Sequence, residues 1–310
     1  MLDSPLVSVI VPSFNQGRFI AETLESILSQ DYRPLEVLVM DGGSTDETLS
    51  VLEKYRSRPE VRVWSEADEG VTDAVNKGLA RVRGAILAIQ SSDDTYLPGA
   101  ISAAVESMRR NPEVVLVFGD VELIDEYSRV TGGDVQTAFD LAEYLGRLSY
   151  VPQPAAFFTA AAARVVGGWR AGVSYAADAD FWLRIALSQP VLKIDRLMAR
   201  YRYHPAQRDQ QRDRILRDWE TMIASLAAHP GMTPRLARHA RMGVHLARYR
   251  YTDAGRWLGR SLHVYRAVLA NPRAIGHRNF PRRELLLGRT PLFALLSRVK
   301  RALGLRPRDA

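Results

Sequence analysis

Val7-Ser8-Val9-Ile10-Val11 is a short, nearly continuous apolar run, and soon after it Phe19, Ile20, Thr23, Leu24, Ile27 and Leu28 recur three and four positions apart until Asp31 and Pro34 break the spacing. The first pattern predicts a buried strand and the second an amphipathic helix. The same sequence of patterns repeats. Residues 35–40 read as a strand, 45–55 as a helix with Ser44 as its N-cap, and 61–64 as a third strand. Val71, Ala74, Val75, Leu79 and Val82 then form a helical stripe ahead of a strand over 85–89. Strands that alternate with helices predict a doubly wound, mainly parallel α/β sheet, in which ligands gather at the carboxyl ends of the strands.

Beyond this point the alternation loosens. A helix is expected over 98–110, a strand over 114–118, shorter strands after it and a turn at Gly132-Gly133. Phe181, Trp182 and Ile185 share one face of a helix over 178–187, and 191–194 and 197–203 read as two strands. From Ala206 onward only helices are expected, about four of them, punctuated by Pro230, Pro234 and Asn271-Pro272. The boundary falls near Pro205, which separates an α/β domain over 1–205 from a helical region over 206–310.

Composition narrows the functional class. The 310 residues are 46% hydrophobic and 25% charged, which suits a globular domain with an extension and excludes a disordered or fibrous chain. The absence of cysteine excludes disulfides, thiolate metal sites and a cysteine nucleophile, and it accords with a reducing cytoplasm. No signal peptide is read at the start of the chain. The longest uncharged stretch, 148–163, is too short for a comfortable membrane span and holds Pro152 and Pro154, so a transmembrane helix is not expected.

The net charge of +7 conceals two opposed parts: residues 1–199 carry 18 basic and 28 acidic side chains, and 200–310 carry 24 and 7. An acidic part that binds a phosphorylated ligand needs a bridging cation, whereas a strongly basic part attracts polyanions. In the tail, Leu292, Phe293, Leu295, Leu296, Val299, Leu303 and Leu305 lie among Arg289, Arg298, Lys300, Arg301, Arg306 and Arg308. That pattern is expected of an amphipathic basic helix. It suits peripheral contact with an anionic membrane, and equally a solvated helical face packed on the rest of the protein.

The candidate chemistry sits where strands end. Pro12-Ser13-Phe14-Asn15 opens the first loop, and Asp41-Gly42-Gly43-Ser44-Thr45-Asp46 opens the second, where a carboxylate can accept from a nucleobase or a ribose. Asp before Gly-Gly is equally the signature of a plain turn. Asp93-Asp94 follows the strand over 85–89, and two adjacent carboxylates are costly to hold together unless a cation or donors offset them. Oxygen ligands beside a diphosphate favour Mg²⁺ or Mn²⁺; the competing reading is a helix cap at Asp94. Asp178 and Asp180 begin the 178–187 helix, where the helix dipole keeps a carboxylate ionised and fit to serve as a general base, or simply as a cap. Trp169 and Trp182 are able to stack on sugar faces, although core packing is the commoner fate of such residues.

Together these segments resemble the family 2 glycosyltransferases with the GT-A fold, over about 7–204. Ser8-Val9-Ile10-Val11-Pro12-Ser13-Phe14-Asn15 looks like the family's first nucleotide loop and Val39-Met40-Asp41-Gly42-Gly43-Ser44-Thr45-Asp46 like its second. Ser65-Glu66-Ala67-Asp68-Glu69-Gly70 leading to Asp73-Ala74-Val75-Asn76-Lys77-Gly78 is a further hallmark, and Ser92-Asp93-Asp94 takes the place of the Asp-x-Asp metal motif. The resemblance implies a nucleotide-sugar site drawn from Pro12, Ser13, Asn15, Asp41, Asp68, Asn76, Lys77 and Asp93. It implies Asp94 as ligand of Mg²⁺ or Mn²⁺, joined by His204, and an acceptor pocket at Gln153, Pro154 and Trp182. Asp178 matches the second residue of the family's Glu-Asp pair and would be the base; because Ala177 replaces the Glu, Asp180 stays open as the alternative.

The implied reaction is an inverting, non-processive transfer from a UDP-, GDP- or dTDP-linked sugar to a saccharide or polyprenyl-diphosphate-linked acceptor, at the cytoplasmic face of a membrane, in cell-surface polysaccharide synthesis. The Gln-x-x-Arg-Trp motif of processive members does not occur. A nucleotidyltransferase would want a Gly-rich, basic phosphate loop that Asn15-Gln16-Gly17-Arg18 supplies poorly. No aromatic interleaving or known motif supports a nucleic-acid partner for the basic helices.

Overall fold

The computed structural model describes residues 4–205, 207, 211–252 and 257–286. The chain forms two compact units, Met1–Phe139 with Tyr150–Gln210, and Asp140–Ser149 with Gln211–Ala310. The expected amphipathic tail helix, within 289–308, lies outside the described residues.

The first unit is built on a nine-stranded sheet. Its parallel half runs β3 (Val61–Ser65), β2 (Leu35–Asp41), β1 (Val7–Ser13), β4 (Ile86–Ile89). Every residue of β1 and β2 is buried, which is why both read as nearly continuous apolar runs rather than as alternating ones. Helices α1 (Ile20–Leu28), α2 (Thr48–Glu53) and α3 (Val71–Leu79) make the crossovers and leave the loops that follow β1, β2 and β4 at one edge of the sheet. The α2 helix is shorter than expected and Ser44 does not cap it, because 45–47 are drawn into the loop. There Asp46 accepts from the Gly17 amide (3.1 Å), the Thr48 amide (2.9 Å) and the Thr48 hydroxyl (2.5 Å).

The sheet continues through β8 (Ala156–Thr159), β6 (Leu116–Ile124), β9 (Val191–Arg202) and β5 (Thr95–Tyr96), with β7 (Val130–Asp134) on the other part of β6. Strand β8 is antiparallel to both β4 and β6, so the sheet is mixed, while β6 and β9 are again parallel. Two expectations are corrected here. Gly132 and Gly133 lie within β7, paired with β6, and the reversal is made instead by residues 125–129, where the Asp125 carboxylate accepts from the Tyr127 and Arg129 amides. The strands expected over 191–194 and 197–203 are one strand, with shifts in its register against β6 that absorb the polar Asp195-Arg196. Helices α4 (Ala100–Arg110), α6 (Ala160–Val166) and α7 (Ala177–Ala186) complete this unit.

In the second unit α5 (Leu141–Leu145) is capped by Asp140, and α9 (Pro234–Tyr251) by Thr233 with Pro234 in its first turn. With α8 (Arg212–Leu226) and α10 (Trp257–Ala270) they form a helical unit, part of whose core is Leu148, Met242, Leu246, Val264, Ala267 and Phe280. Among the described residues no helix is long and apolar enough to cross a membrane.

Candidate active site

The loops after β1 and β2 are pinned to each other. The Asn15 amide donates to the Ser44 hydroxyl (2.8 Å), the Asn15 side-chain oxygen accepts from the Thr45 amide (2.9 Å), and the Gln16 amide donates to the Thr48 hydroxyl (2.9 Å). Asn15 takes a positive φ of 53°, a conformation Asn tolerates better than most residues. Asp41 organises this region from within. Only 2% exposed, it accepts from the Gly43 and Ser44 amides (3.2 and 3.1 Å) and from the hydroxyls of Ser44 (2.5 Å) and Ser65 (2.6 Å). Its oxygens are thus committed to the loop, and the expected contact with a base is not offered by an open carboxylate.

Pro12 and Ser13 form the buried end of β1. Asp68 is half-buried, accepts from the Gly70 amide (2.7 Å) and lies directly against Gly42, where an added Cβ would stand 2.5 Å from the Asp68 carboxylate. Asn76 and Lys77 act as clamps. The Asn76 amide group bonds both the carbonyl and the N–H of Trp169 (2.8 and 2.9 Å), which ties α3 to the chain before α7. Lys77 donates to the Ala67 carbonyl and pairs with Asp73, each at 3.1 Å.

The two consecutive aspartates have different fates. Asp94 is fully buried, and one of its oxygens accepts from the Arg202 backbone amide (2.8 Å). Its own carbonyl accepts from the Thr23 hydroxyl (2.8 Å). Asp93, with its side chain 14% exposed, meets His204, carboxylate oxygen to Nε2, at 3.0 Å. Asp93 lies in the loop that follows β4 and His204 two residues past β9, so tertiary structure alone brings them together. Asp94, the expected metal ligand, is thus buried and fastened through one oxygen, and Asp93 is the carboxylate that faces His204.

Among the described residues no three His, Asp or Glu side chains converge to hold an ion unaided. The Asp93 carboxylate fits Mg²⁺ or Mn²⁺ whose coordination is completed largely by diphosphate oxygens and water, with the His204 imidazole beside it as a further donor.

At the start of α7, Asp178 is half-buried in the first turn, while Asp180 is completely buried. Arg170 grips both oxygens of Asp180, and the Arg184 Nε–H donates to it at 2.8 Å. Burial holds the Arg184 pKa below its ordinary value, although Asp180 opposes that fall. Asp180 is neither a cap nor an accessible base: α7 begins without a side-chain cap, and the Asp180 lone pairs are filled by two guanidinium groups.

Trp182 is wholly buried among Phe158 and Phe181, so the core takes the face that an acceptor sugar would need. Gln153 and the buried Pro154 lie in a short 3-10 turn; the Gln153 amide donates to the Ile89 carbonyl, and its oxygen accepts from Ser91 (3.0 Å), beside the aspartate loop.

Sequence reasoning missed Arg202. Its side chain is 1% exposed, and it donates to the Asp93 carbonyl (2.7 Å), the Asp125 carbonyl (3.1 Å), the Ser128 hydroxyl (2.9 Å) and Glu22 (2.6 Å). The sequence offers little signal for it, because Arg200 stands two residues before it on the same strand end and reads the same way.

A model of glycosyl transferase family 2 matches residues 8–165, just over half of the chain. Chondroitin synthase of Escherichia coli is 29% identical over 194 residues, which are 62% of this chain and 28% of that protein. The chain therefore spans little more than a quarter of that relative's length. Among solved structures, Staphylococcus aureus TarS 1-349 in complex with UDP-GlcNAc is similar with a TM-score of 0.66 at 16% identity, over 87% of this chain and 82% of that one. The mannosyltransferase PcManGT of Pyrobaculum calidifontis, in complex with GDP-Man and Mn²⁺, gives a TM-score of 0.62 at 22% identity, over 98% of this chain and 82% of that one. The mixed sheet with its flanking helices is the GT-A fold, and the chain belongs to glycosyl transferase family 2.

Proposed function

We propose that the chain is an inverting glycosyltransferase that moves a sugar from a nucleoside diphosphate to an acceptor hydroxyl, with Asp93 and His204 as ligands of Mg²⁺ or Mn²⁺ and Asp178 as the general base. The observation that carries this reading is the meeting of Asp93 and His204, 3.0 Å apart, beyond the carboxyl ends of β4 and β9. The cation, when bound, neutralises the charge that develops on the departing diphosphate.

The protein's own residues supply the rest. The interlocked loops at Asn15 and Ser44, together with Asp68, present a rigid surface to the nucleoside, so little ordering is left to be done on binding. Asp178, in the first turn of α7, takes the acceptor proton; the acceptor oxygen forms a bond to the anomeric carbon as the bond to the diphosphate breaks, and that electron pair leaves with the diphosphate. A single in-line displacement inverts the anomeric centre. The donor is a UDP-, GDP- or dTDP-linked sugar, in keeping with the UDP-GlcNAc and GDP-Man complexes of similar folds. The acceptor is a saccharide, free or on a polyprenyl diphosphate, in cell-surface polysaccharide synthesis. The excess of basic residues beyond 200 supports peripheral contact with the cytoplasmic face of an anionic membrane.

Thermal denaturation in the presence of UDP-, GDP- and dTDP-sugars, with and without Mn²⁺, tests the reading. One of them raises the midpoint only when Mn²⁺ is present, and Asp93→Ala abolishes the rise. Absence of any such rise overturns it. A chain ending at Asn271 loses co-sedimentation with phosphatidylglycerol vesicles if the tail is the membrane contact.

A further inference from the structure

We infer that Arg202 is a positioning residue that sets the geometry of the Asp93–His204 pair. The inference rests on the cation reading above. Arg202 holds the Asp93 half of that pair and lies two residues from the other half. Its Nε–H holds the Asp93 carbonyl at 2.7 Å, its backbone amide holds the Asp94 carboxylate at 2.8 Å, and His204 stands two residues further along the same chain. The loop after β4 is thereby fastened to the end of β9 at two adjacent points. The position of the Asp93 carboxylate relative to the His204 ring follows from that fastening.

The outer face of the guanidinium is anchored in turn. Its Nη groups reach Glu22 on α1 at 2.6 Å, and the Ser128 hydroxyl and Asp125 carbonyl in the turn between β6 and β7 at 2.9 and 3.1 Å. Below it lies the Phe19 ring, with the guanidinium carbon 4.9 Å from the centroid, and Phe19 also packs on the His204 ring at 5.0 Å. Four hydrogen bonds in the plane of the fork and an aromatic face beneath it leave the guanidinium no freedom to turn. Lysine, with one ammonium on a flexible stem, has no means of reaching the Asp93 carbonyl, Ser128 and Glu22 together. A buried cation at 1% exposure is costly for the fold, and here each of its bonds ends on a segment that borders the pair. Gln207 closes the far side: its side chain donates to the Arg202 carbonyl and accepts from the His204 amide (3.3 Å).

The test is a calorimetric titration of the full chain with Mn²⁺, UDP and GDP being the probes present in turn, on wild type, Arg202→Lys, Asp93→Ala and Arg200→Ala. Broadening of the His204 imidazole resonance by Mn²⁺ is followed in parallel. Arg202→Lys is expected to raise the Mn²⁺ concentration for half-saturation about tenfold or more and to weaken the broadening, with Arg200→Ala at the wild-type value. Wild-type Mn²⁺ affinity in a folded Arg202→Lys protein overturns the inference. Should that variant not fold, Glu22→Gln and Ser128→Ala release only the outer anchors and are expected to raise the requirement about two- to fivefold; no change in either overturns it equally. Asp93→Ala separates the two claims. If it binds Mn²⁺ as wild type does, the cation reading itself fails; if it loses Mn²⁺ while Arg202→Lys retains it, only the role of Arg202 fails.

Discussion

Asp178 and Asp180 are two positions apart on one helix, and their surroundings give them different work. With Asp178 as the proposed base, Asp178→Asn is expected to lower the transfer rate by about 10²- to 10⁴-fold while leaving nucleotide affinity unchanged. Asp180→Asn acts on the fold. It breaks a buried pairing with Arg170 and Arg184 and should cost about 3 kcal/mol of stability, read by urea denaturation, whatever it does to turnover. The sequence favours Asp178 as base with Asp180 as a helix cap, but Asp180 caps nothing and is instead held by Arg170 and Arg184, a pairing the sequence does not signal. The same holds for Asp93 and Asp94. Their identity as a carboxylate pair was legible; which one opens toward His204 depends on a residue more than a hundred positions away.

Elements were legible where burial is two-sided and crossovers are local. The β1, β2 and β4 strands and the helices between them follow from hydrophobic spacing because each is covered on both faces. Strand β7 was not legible, since it is mostly exposed, carries Gly132-Gly133 and owes its extended form to pairing with β6. The α3 helix offers a test of how tightly these elements close. An added Cβ at Gly78 would stand 2.5 Å from Ile10 Cγ2 on β1. Gly78→Ala gains about 1 kcal/mol of helix propensity but overpacks the helix–strand contact by about 1–3 kcal/mol. The net effect expected is a lower midpoint on thermal denaturation, against the direction propensity alone would give.

At the scale of the whole molecule the charge division seen in the sequence has a counterpart in titration. In the second unit, His245 on α9 and His263 on α10 stack with ring centroids 6.0 Å apart, and among the described residues neither Nδ1 has a hydrogen-bond partner. Burial foremost, then Arg248, His263 and Arg266, push the His245 pKa down to about 4 against a weaker pull from Glu220, and burial lowers His263 as well. A histidine kept neutral in the folded state is protonated first in the unfolded one, so stability is full above about pH 6.5 and falls as pH drops toward 4. His245→Gln should flatten that part of the pH profile in denaturant titrations. The family, the alternation of strand and helix through the first four strands and the chemical kind of each site residue were decided by the sequence alone, because periodicity and loop motifs are local. Only tertiary structure decided that Asp41, Asp94, Asp180 and Trp182 are buried, that Asp93 meets His204, and that Arg202 holds the Asp93 carbonyl. The first of these depends on burial, and the contacts of Asp93, Asp94, Arg202 and His204 on hydrogen bonds between segments more than a hundred residues apart, which no local pattern encodes.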